Sequence, residues 1–439
     1  MKVWIIEIGE PLPVIDSNAR IMRAGMLAKA LVAQGHKVTW WASTFDHFTK
    51  RHRFDGPRSV EVQPGLRLNL MHGPGYEKNI SLKRLLHHRA LARIFEQERQ
   101  TQPKPDVVFA CLPIPELAEK AAIYGCVQGV PVIIDVRDQW PDVYLMAFPS
   151  GLHRLARLVL LPEFRRTQRA LRMATGITAV SETYLKWALN YAKRSMRKTD
   201  GVFPLGYPSP TVGTPGEIET QVAQLRARYK IRPDAIVVTF VGTFGAAYDL
   251  ETVIKAARVL QEDDALNVQI VLAGDGDRMA KLREMVNGLE NVVFTGWIDQ
   301  IAISTLLHFS SVGLAAYCES ALQSLPNKPF EYMAAGLPIL SSLRGELESL
   351  IREERIGLQY QAGDVNSLVE QIRWLAANPE ARREMGMRAR RLFEERFSAD
   401  VIYPRLVQYL EKVASQATEK GNVCRWEPHG PGKTLWTGS

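Results

Sequence analysis

What the sequence lacks narrows its class first. No apolar run approaches the ~20 residues that a membrane-spanning helix needs; the longest candidate, Leu155 to Leu161, is interrupted by Arg157 and ended by Pro162. The first residues, Met1 to Gly9, hold one lysine and an apolar run broken by Glu7, too short for the core of a secretory signal. They read as a first strand, and a cytoplasmic protein is expected. Cysteine is scarce: Cys111, Cys126, Cys318 and Cys424 stand apart, without a C-x-x-C pair or a nearby histidine, so they suggest neither zinc ligation nor a disulfide framework. No internal repeat, low-complexity tract, nucleic-acid-binding motif or Ser/His/Asp set is evident.

What is present is ordinary globular composition on a large scale. The chain has 439 residues, 46% hydrophobic and 23% charged, enough for two cores and too apolar for disorder. The net charge of +8 is concentrated: residues 78–99 carry six Lys/Arg against two Glu, and residues 152–172 six Arg against one Glu, together more than the whole excess. Leu82, Leu85, Leu86, Leu91, Ile94 and Phe95 interleave the first set of charges, and Leu155, Leu158 and Val159 the second. Basic amphipathic helices of this kind suit an anionic membrane surface, the other reading being a solvated helix face. Nucleic acid is the poorer partner, since no binding motif accompanies the charge.

Short apolar runs alternate with helical periodicity throughout, the pattern of βαβ units around parallel sheets. The first half is read as strand 3–8, helix 17–33 ending at Gly35, strand 38–41, and buried strands at 107–111, 132–136 and 177–180. A Pro/Gly/Thr-rich linker, 206–216, precedes a second series: strands 236–241, 268–273, 292–295, 312–315 and 338–341 with helices 250–260, 279–286 and 329–335. The expected organisation is a Rossmann-like domain over 1–206, a second over 207–397, a packing helix at 398–415 and a mobile tail at 416–439.

Ligands bind in such folds at the carboxyl ends of the strands. Gly242 and Gly245 follow one strand and precede a helix, where backbone N–H groups and the positive helix end suit phosphate oxygens, although the pattern is generic. Gly274 and Gly276 form a second turn, with Arg278 either a fixed charge for phosphate or a solvated side chain. Trp297 ends a third strand, to stack on a base or to pack. In Ser324 to Leu340, Lys328 and Glu331 stand three apart at a helix start: Lys suits a diphosphate as a point charge, and Glu accepts two hydrogen bonds from a ribose diol.

These segments, with Gly35-His36-Lys37-Val38 after the first helix, resemble glycosyltransferase family 4, retaining enzymes of the α/β GT-B fold, in which two Rossmann-like domains face each other across a cleft. The resemblance covers approximately residues 1–415 and is closest to a bacterial surface-polysaccharide branch including fucosaminyl and colanic-acid-type transferases. It implies a nucleotide-sugar donor, a polyprenyl-linked sugar acceptor in O-antigen or capsule synthesis, attachment to the inner face of the cell membrane, and neither cofactor nor metal. The family's paired glutamates, eight residues apart, fall on Gln323 and Glu331, so an amide replaces the carboxylate that faces the donor sugar. The basic residues that follow the family's Gly242-type turn have no counterpart among Phe244 to Leu250, which leaves Lys328 and Arg278 to neutralise the diphosphate.

In the first half the resemblance places Asp138 by the reacting sugar, against a structural ion pair as the other reading, and Gly9, Asn18 and Arg20 in the loop covering phosphate and acceptor. Asp138 and Lys328 are the catalytic candidates. Asp135 reads as a strand-end cap. A nucleotide-sugar 2-epimerase and a catalytically degenerate nucleotide-binding subunit are the alternatives.

Overall fold

The computed structural model describes residues 1–12, 21–79, 81–209, 214–263 and 265–420. The first sheet is built from β1 (Lys2–Ile6), β2 (Lys37–Ser43), β5 (Arg58–Gln63), β6 (Leu66–Met71), β7 (Val107–Leu112), β8 (Val132–Val136), β9 (Gly176–Ala179) and β10 (Gly201–Val202), beside a small hairpin of β3 (Phe45–Asp46) and β4 (Arg51–His52). Its order is β10-β9-β8-β7-β1-β2-β6-β5. Only β5 runs antiparallel to its neighbour. Every residue of β7 and β8 is buried, which is why those segments read as unbroken apolar runs: helices cover both faces of a parallel sheet. These helices are α1 (Arg23–Ala33), α2 (Leu82–Glu98), α3 (Pro115–Gln128), α4 (His153–Val159), α5 (Leu161–Met173) and α6 (Glu182–Ala192). Local signals set their ends: Ser81 and Ser181 cap α2 and α6 through their hydroxyls, and α3 runs from Pro115 to Gly129 at φ 61°.

The second sheet is wholly parallel. It contains β11 (Ile236–Val241), β12 (Val268–Ala273), β13 (Val292–Gly296), β14 (Val312–Ala315), β15 (Ile339–Ser341) and β16 (Gly357–Gln359) in the order β13-β12-β11-β14-β15-β16. Its helices are α7 (Pro215–Tyr229), α8 (Leu250–Gln261), α9 (Met279–Met285), α10 (Gln300–Phe309), α11 (Asn327–Ala334), α12 (Glu346–Glu354), α13 (Val365–Ala377) and α14 (Pro379–Leu392). Buried clusters line both faces of each sheet, so the two halves are two Rossmann-like domains.

The chain passes between the domains twice, and the two passages are tied together: Tyr207 N donates to Phe397 O (3.2 Å) and Ala399 N to Tyr207 O (2.8 Å). The last helix, α15 (Ala399–Lys420), then returns to the first domain, where Tyr403, Leu406, Val407 and Leu410 enter the core. It runs past the expected start of the tail at 416. The first helix begins at Arg23 rather than near Ser17, with residues 13–20 outside the described part. Two further segments differ from the expectation. Residues 58–63 and 66–71, unassigned from sequence, are sheet strands, and α7 occupies what was read as the end of the linker and the start of the next strand's approach. Cys111 is a buried free thiol and Cys318 is also free, whereas Cys126 is disulfide-bonded, against the expectation.

Both sheets reverse strand order beside their first strand: β1 lies between β7 and β2, and β11 between β12 and β14. Crevices open at the carboxyl ends of such strands. They are where the candidate residues collect.

Candidate active site between the two sheets

In the second domain the glycine turns are forced by backbone crowding. After β11 the chain turns at Gly242 with φ +144°, and a Cβ there would stand 2.5 Å from Lys328 Nζ. After β12, Gly274 has φ +142°, and a Cβ would collide with the Gly242 carbonyl oxygen. At Gly276 a Cβ would come within 2.8 Å of Phe244 N. Side chains are excluded at Gly274 and Gly276 because two strand-end loops touch through their main chains, and at Gly242 by its positive φ and the Lys328 side chain. Gly245 is different: the nearest atom to a Cβ is Thr243 Oγ1 at 4.0 Å, and nothing around it demands glycine.

Lys328 enters this nest from the first turn of α11. Its side chain is buried, Nζ donates to Tyr248 Oη (2.7 Å), and it lies 3.9 Å and 4.9 Å from the ring centres of Tyr248 and Phe240. Aromatic faces and one hydroxyl hold the ammonium against Gly242, and no carboxylate among the described residues forms an ion pair with it. Tyr248, which sequence reasoning passed over, also ties in Arg278, whose Nη1 donates to the Tyr248 carbonyl (3.4 Å). Arg278 has a second neighbour, Glu251 at 4.0 Å, which Lys281 also holds at 2.6 Å.

Glu331, one turn further along α11, is buried and lines a smaller cavity of about 180 Å³ with Tyr207, Gln300 and Thr305. Trp297 follows β13 and is 67% exposed, so the packed alternative does not hold. Gln323 Oε1 is buried without a hydrogen-bond partner. The residues flanking Gln323 touch elements outside α11: Leu322 O accepts from Tyr184 Oη of the first domain (3.4 Å), and Ser324 Oγ donates to Glu346 (2.8 Å). Glu346 also accepts from the Glu182 and Thr183 amides at the start of α6 (3.2 and 3.3 Å), so a carboxylate of one domain sits at a helix N-terminus of the other.

A cavity of about 420 Å³ lies where the domains meet. Gly9, Arg84, Asp138 and Trp140 line it from the first domain and Asn327 from the second. Asn327 and Glu331 therefore face two neighbouring cavities from one short helix, with Lys328 buried against the Gly242 turn between them in sequence. Asp138 Oδ1 accepts from Gln139 N (2.8 Å). Burial pushes its carboxyl up, while the Gln139 amide, Trp140 and Arg84 pull the other way. Asp138 forms no ion pair with any described residue. Asn18 and Arg20 lie outside the described residues.

The charges nearer the strand ends are structural. Asp135 is wholly buried and accepts from Arg23 Nε and Nη2 (2.8 and 2.9 Å), Arg137 Nε (3.0 Å) and Thr178 Oγ1 (2.7 Å). Those partners hold it below its ordinary value despite burial. Arg137 pairs also with Glu10 and stands 3.5 Å from Glu7. Glu10 accepts from Ala24 N (2.9 Å), closing the start of α1 with the chain's own carboxylate, and Gly9 N donates to Glu7 Oε1 (2.6 Å). Three strands and α1 are locked by this network, in line with Asp135 as a cap. Among the described residues no group of three or more His, Cys, Asp or Glu is placed to hold a metal ion.

Two Rossmann-like domains with a cleft at their strand ends and glycine turns on one side make up the GT-B architecture. Family models agree over both halves: residues 23–198 match Glycosyltransferase Family 4, and residues 221–392 match Glycosyl transferases group 1. N-acetyl-alpha-D-glucosaminyl L-malate synthase of Bacillus anthracis is 27% identical over 185 residues, 41% of this chain and 46% of the relative. Sulfoquinovosyl transferase SQD2 of Arabidopsis thaliana is 24% identical over 324 residues, 72% of this chain and 57% of the relative. The chain thus spans about half the length of the curated relatives it matches. The crystal structure of Anabaena HepE in complex with UDP superposes with TM-score 0.65 at 15% identity, covering 94% of this chain and 99% of that one.

Proposed function

We propose that this protein is a retaining glycosyltransferase that moves a sugar from a nucleotide donor to a lipid-linked acceptor in bacterial surface-polysaccharide synthesis. The observation that carries the reading is the Lys328 ammonium, held by aromatic faces against the Gly242 turn, which packs on the Gly274 turn. A diphosphate seated there meets a fixed positive charge. Glu331 takes the ribose diol, and Trp297 offers a free ring face near the end of β13. The orphaned Gln323 Oε1 suits a hydroxyl donor, and a hydroxyl of the donor sugar is one. The UDP bound to the structural neighbour and the sugar-transferring names of the relatives support the same donor class.

In the reaction the bond from the anomeric carbon to the diphosphate oxygen breaks, and the acceptor oxygen bonds to the same face. The acceptor proton passes to the departing diphosphate. Negative charge grows on that group as it leaves, so Lys328 lowers the barrier by standing where the charge appears. Asp138, across the cleft, orients the hydroxyls of acceptor or sugar.

The surface supports a membrane-bound acceptor. Leu155, Leu158 and Val159 of α4 are 60%, 68% and 73% exposed, with the exposed Arg154 and Arg157 beside them. Arg165 and Arg172 of α5 are exposed as well. Apolar insertion beside cations fits anionic lipid, each cation near the surface contributing about 1 kcal/mol. Arg157 also donates to Asp142 (3.1 Å), in the segment that continues from the cavity residues Asp138 and Trp140. No helix among the described residues is long and apolar enough to cross a membrane. The test is a panel of nucleotide sugars offered with membrane-extracted lipid acceptors. Transfer supports the reading, isomerised donor would point to an epimerase, and binding without turnover to a degenerate subunit.

A further inference from the structure

The cavity between the domains carries a feature that donor binding does not use. Its wall at the first domain is made by the β3–β4 hairpin, the segment before α2, and the first turns of α2: His47, Tyr76, Asn79, Arg84, His87 and His88. Two cations meet there. Lys50 Nζ donates to Asn79 Oδ1 (2.5 Å) and to the His47 carbonyl (2.5 Å), and Arg84 Nη1 donates to the Asn79 carbonyl (2.8 Å). One asparagine therefore holds both. The Arg84 guanidinium lies over the rings of Trp140 (4.7 Å) and Tyr76 (5.4 Å), facing the cavity.

Neither cation has a carboxylate within ion-pair distance among the described residues. Asp46, the nearest acid on the hairpin, is taken by Arg53 (2.5 Å). Glu7 and Glu10, on the far wall, belong to Arg137. Lys50 also occupies a left-handed backbone position, φ +58°, that a residue with a Cβ adopts at a cost. Burial, then the Arg84 charge, lower Lys50. Burial, then Arg84 and Lys50, lower His47 to about 4; burial, then the neighbouring histidines and Arg84, lower His87 to about 4. Both rings are neutral at physiological pH, so the corner's charge is carried by Lys50 and Arg84 alone. Two cations kept together at one cavity corner, with no acid paired to either among the described residues, suit an anion.

We infer that the Arg84–Lys50 corner is an oxyanion subsite of the acceptor, holding a phosphate or carboxylate group while the attacking hydroxyl lies toward Asp138. Arg84 presents a planar fork and Lys50 a point charge behind Asn79, a pairing that grips an oxyanion from two directions. The neutral rings of His47 and His87 line the same corner and leave its polarity unopposed. Assigning this cavity to the acceptor rests on the glycosyltransferase reading above; the anion preference of the corner does not.

The test is titration calorimetry on the full chain saturated with UDP, which fills the donor diphosphate site, using inorganic pyrophosphate in one arm and succinate in the other. Wild type is expected to bind one of the two, and the arm that binds identifies phosphate or carboxylate chemistry. Arg84→Gln should weaken that binding by about tenfold or more, Lys50→Gln by less, and Arg84→Lys should restore part of it. UDP affinity should be unchanged in all three variants, and thermal unfolding reports whether each is folded. If UDP does not bind to wild type, the donor reading fails. The same titrations on the unliganded chain, with Lys328→Met beside Arg84→Gln, then show which cation holds the anion. Binding of neither anion to wild type, or equal binding to folded Arg84→Gln, overturns the subsite.

Discussion

The two crevices have the same topological origin but treat charge in opposite ways. At the strand ends of the first sheet, Arg23, Asp135, Arg137, Glu7 and Glu10 satisfy one another, and the network closes the start of α1 that an anion would otherwise face. At the strand ends of the second, main chain meets main chain through glycines, and Lys328 is held by rings and a hydroxyl with no ion pair to a carboxylate among the described residues. A charged residue at a strand end is thus no sign of function by itself. What distinguishes a ligand-ready group is the absence of an opposite charge within reach, as at Lys328 and again at Arg84.

The contrast is sharpest at Gly274. Gly274→Ala drives a Cβ into the Gly242 carbonyl, so one loop must move, and nucleotide binding is expected to fall by about a hundredfold or more. Calorimetry with nucleoside diphosphate reads this, and Gly245→Ala, which meets open space, should bind within about twofold of wild type as the control. Retained affinity in folded Gly274→Ala would break the claim that the turns form the donor seat. Next in size, Lys328→Met removes the charge opposite the leaving group, and initial rates should drop about a hundredfold with a smaller change in affinity. Asp138→Asn should lower transfer by about tenfold while leaving nucleotide affinity unchanged, which places it on the other side of the cleft.

Two smaller effects probe the first domain. Glu116 in α3 is buried, neither oxygen has a hydrogen-bond partner, and burial with the neighbouring Glu163 pushes it from 4.5 up to about 8. Its folded-state pKa lies above its unfolded one, so the folded chain binds the extra proton, and stability declines as pH rises through 4.5 to 8. Glu116→Gln should therefore gain stability relative to wild type across that window and change little below it, as melting temperatures against pH would show. On the surface, Arg154, Arg165 and Arg172 changed together to Gln should shift the protein from the membrane to the soluble fraction at low salt. Arg166 is unsuitable for that set: it pairs with the buried Glu163 and faces Glu119 at 3.5 Å, so it is structural rather than lipid-facing.

The strands legible in the sequence were those buried on both faces. Residues 132–136, 236–241, 268–273 and 312–315 appear with the expected bounds because an unbroken apolar run has few other uses in a parallel sheet. β5 alternates exposed and half-buried residues at a sheet edge, β16 has three residues, and α7 buries only Leu225, so none offers that signal. Within the site, Lys328 and Glu331 were legible because both lie on one helix turn at fixed spacing. Tyr248 was not, because its partner is 80 residues away. Arg84 and the histidines around it were hidden differently: their helix also carries a basic, half-apolar face, and the charge that faces the cavity cannot be told in sequence from the charge that faces solvent.

The central claim is that α11 reads the donor, with Glu331 on the ribose. Titration calorimetry of nucleoside diphosphate against wild type and Glu331→Gln tests it most directly, since the amide keeps the shape and removes the anionic acceptor. A hydrogen bond to a charged group contributes about 1.5–3 kcal/mol, so affinity should fall by roughly tenfold to a hundredfold with the melting temperature little changed. Wild-type affinity in a folded Glu331→Gln protein would contradict the account and place the donor elsewhere.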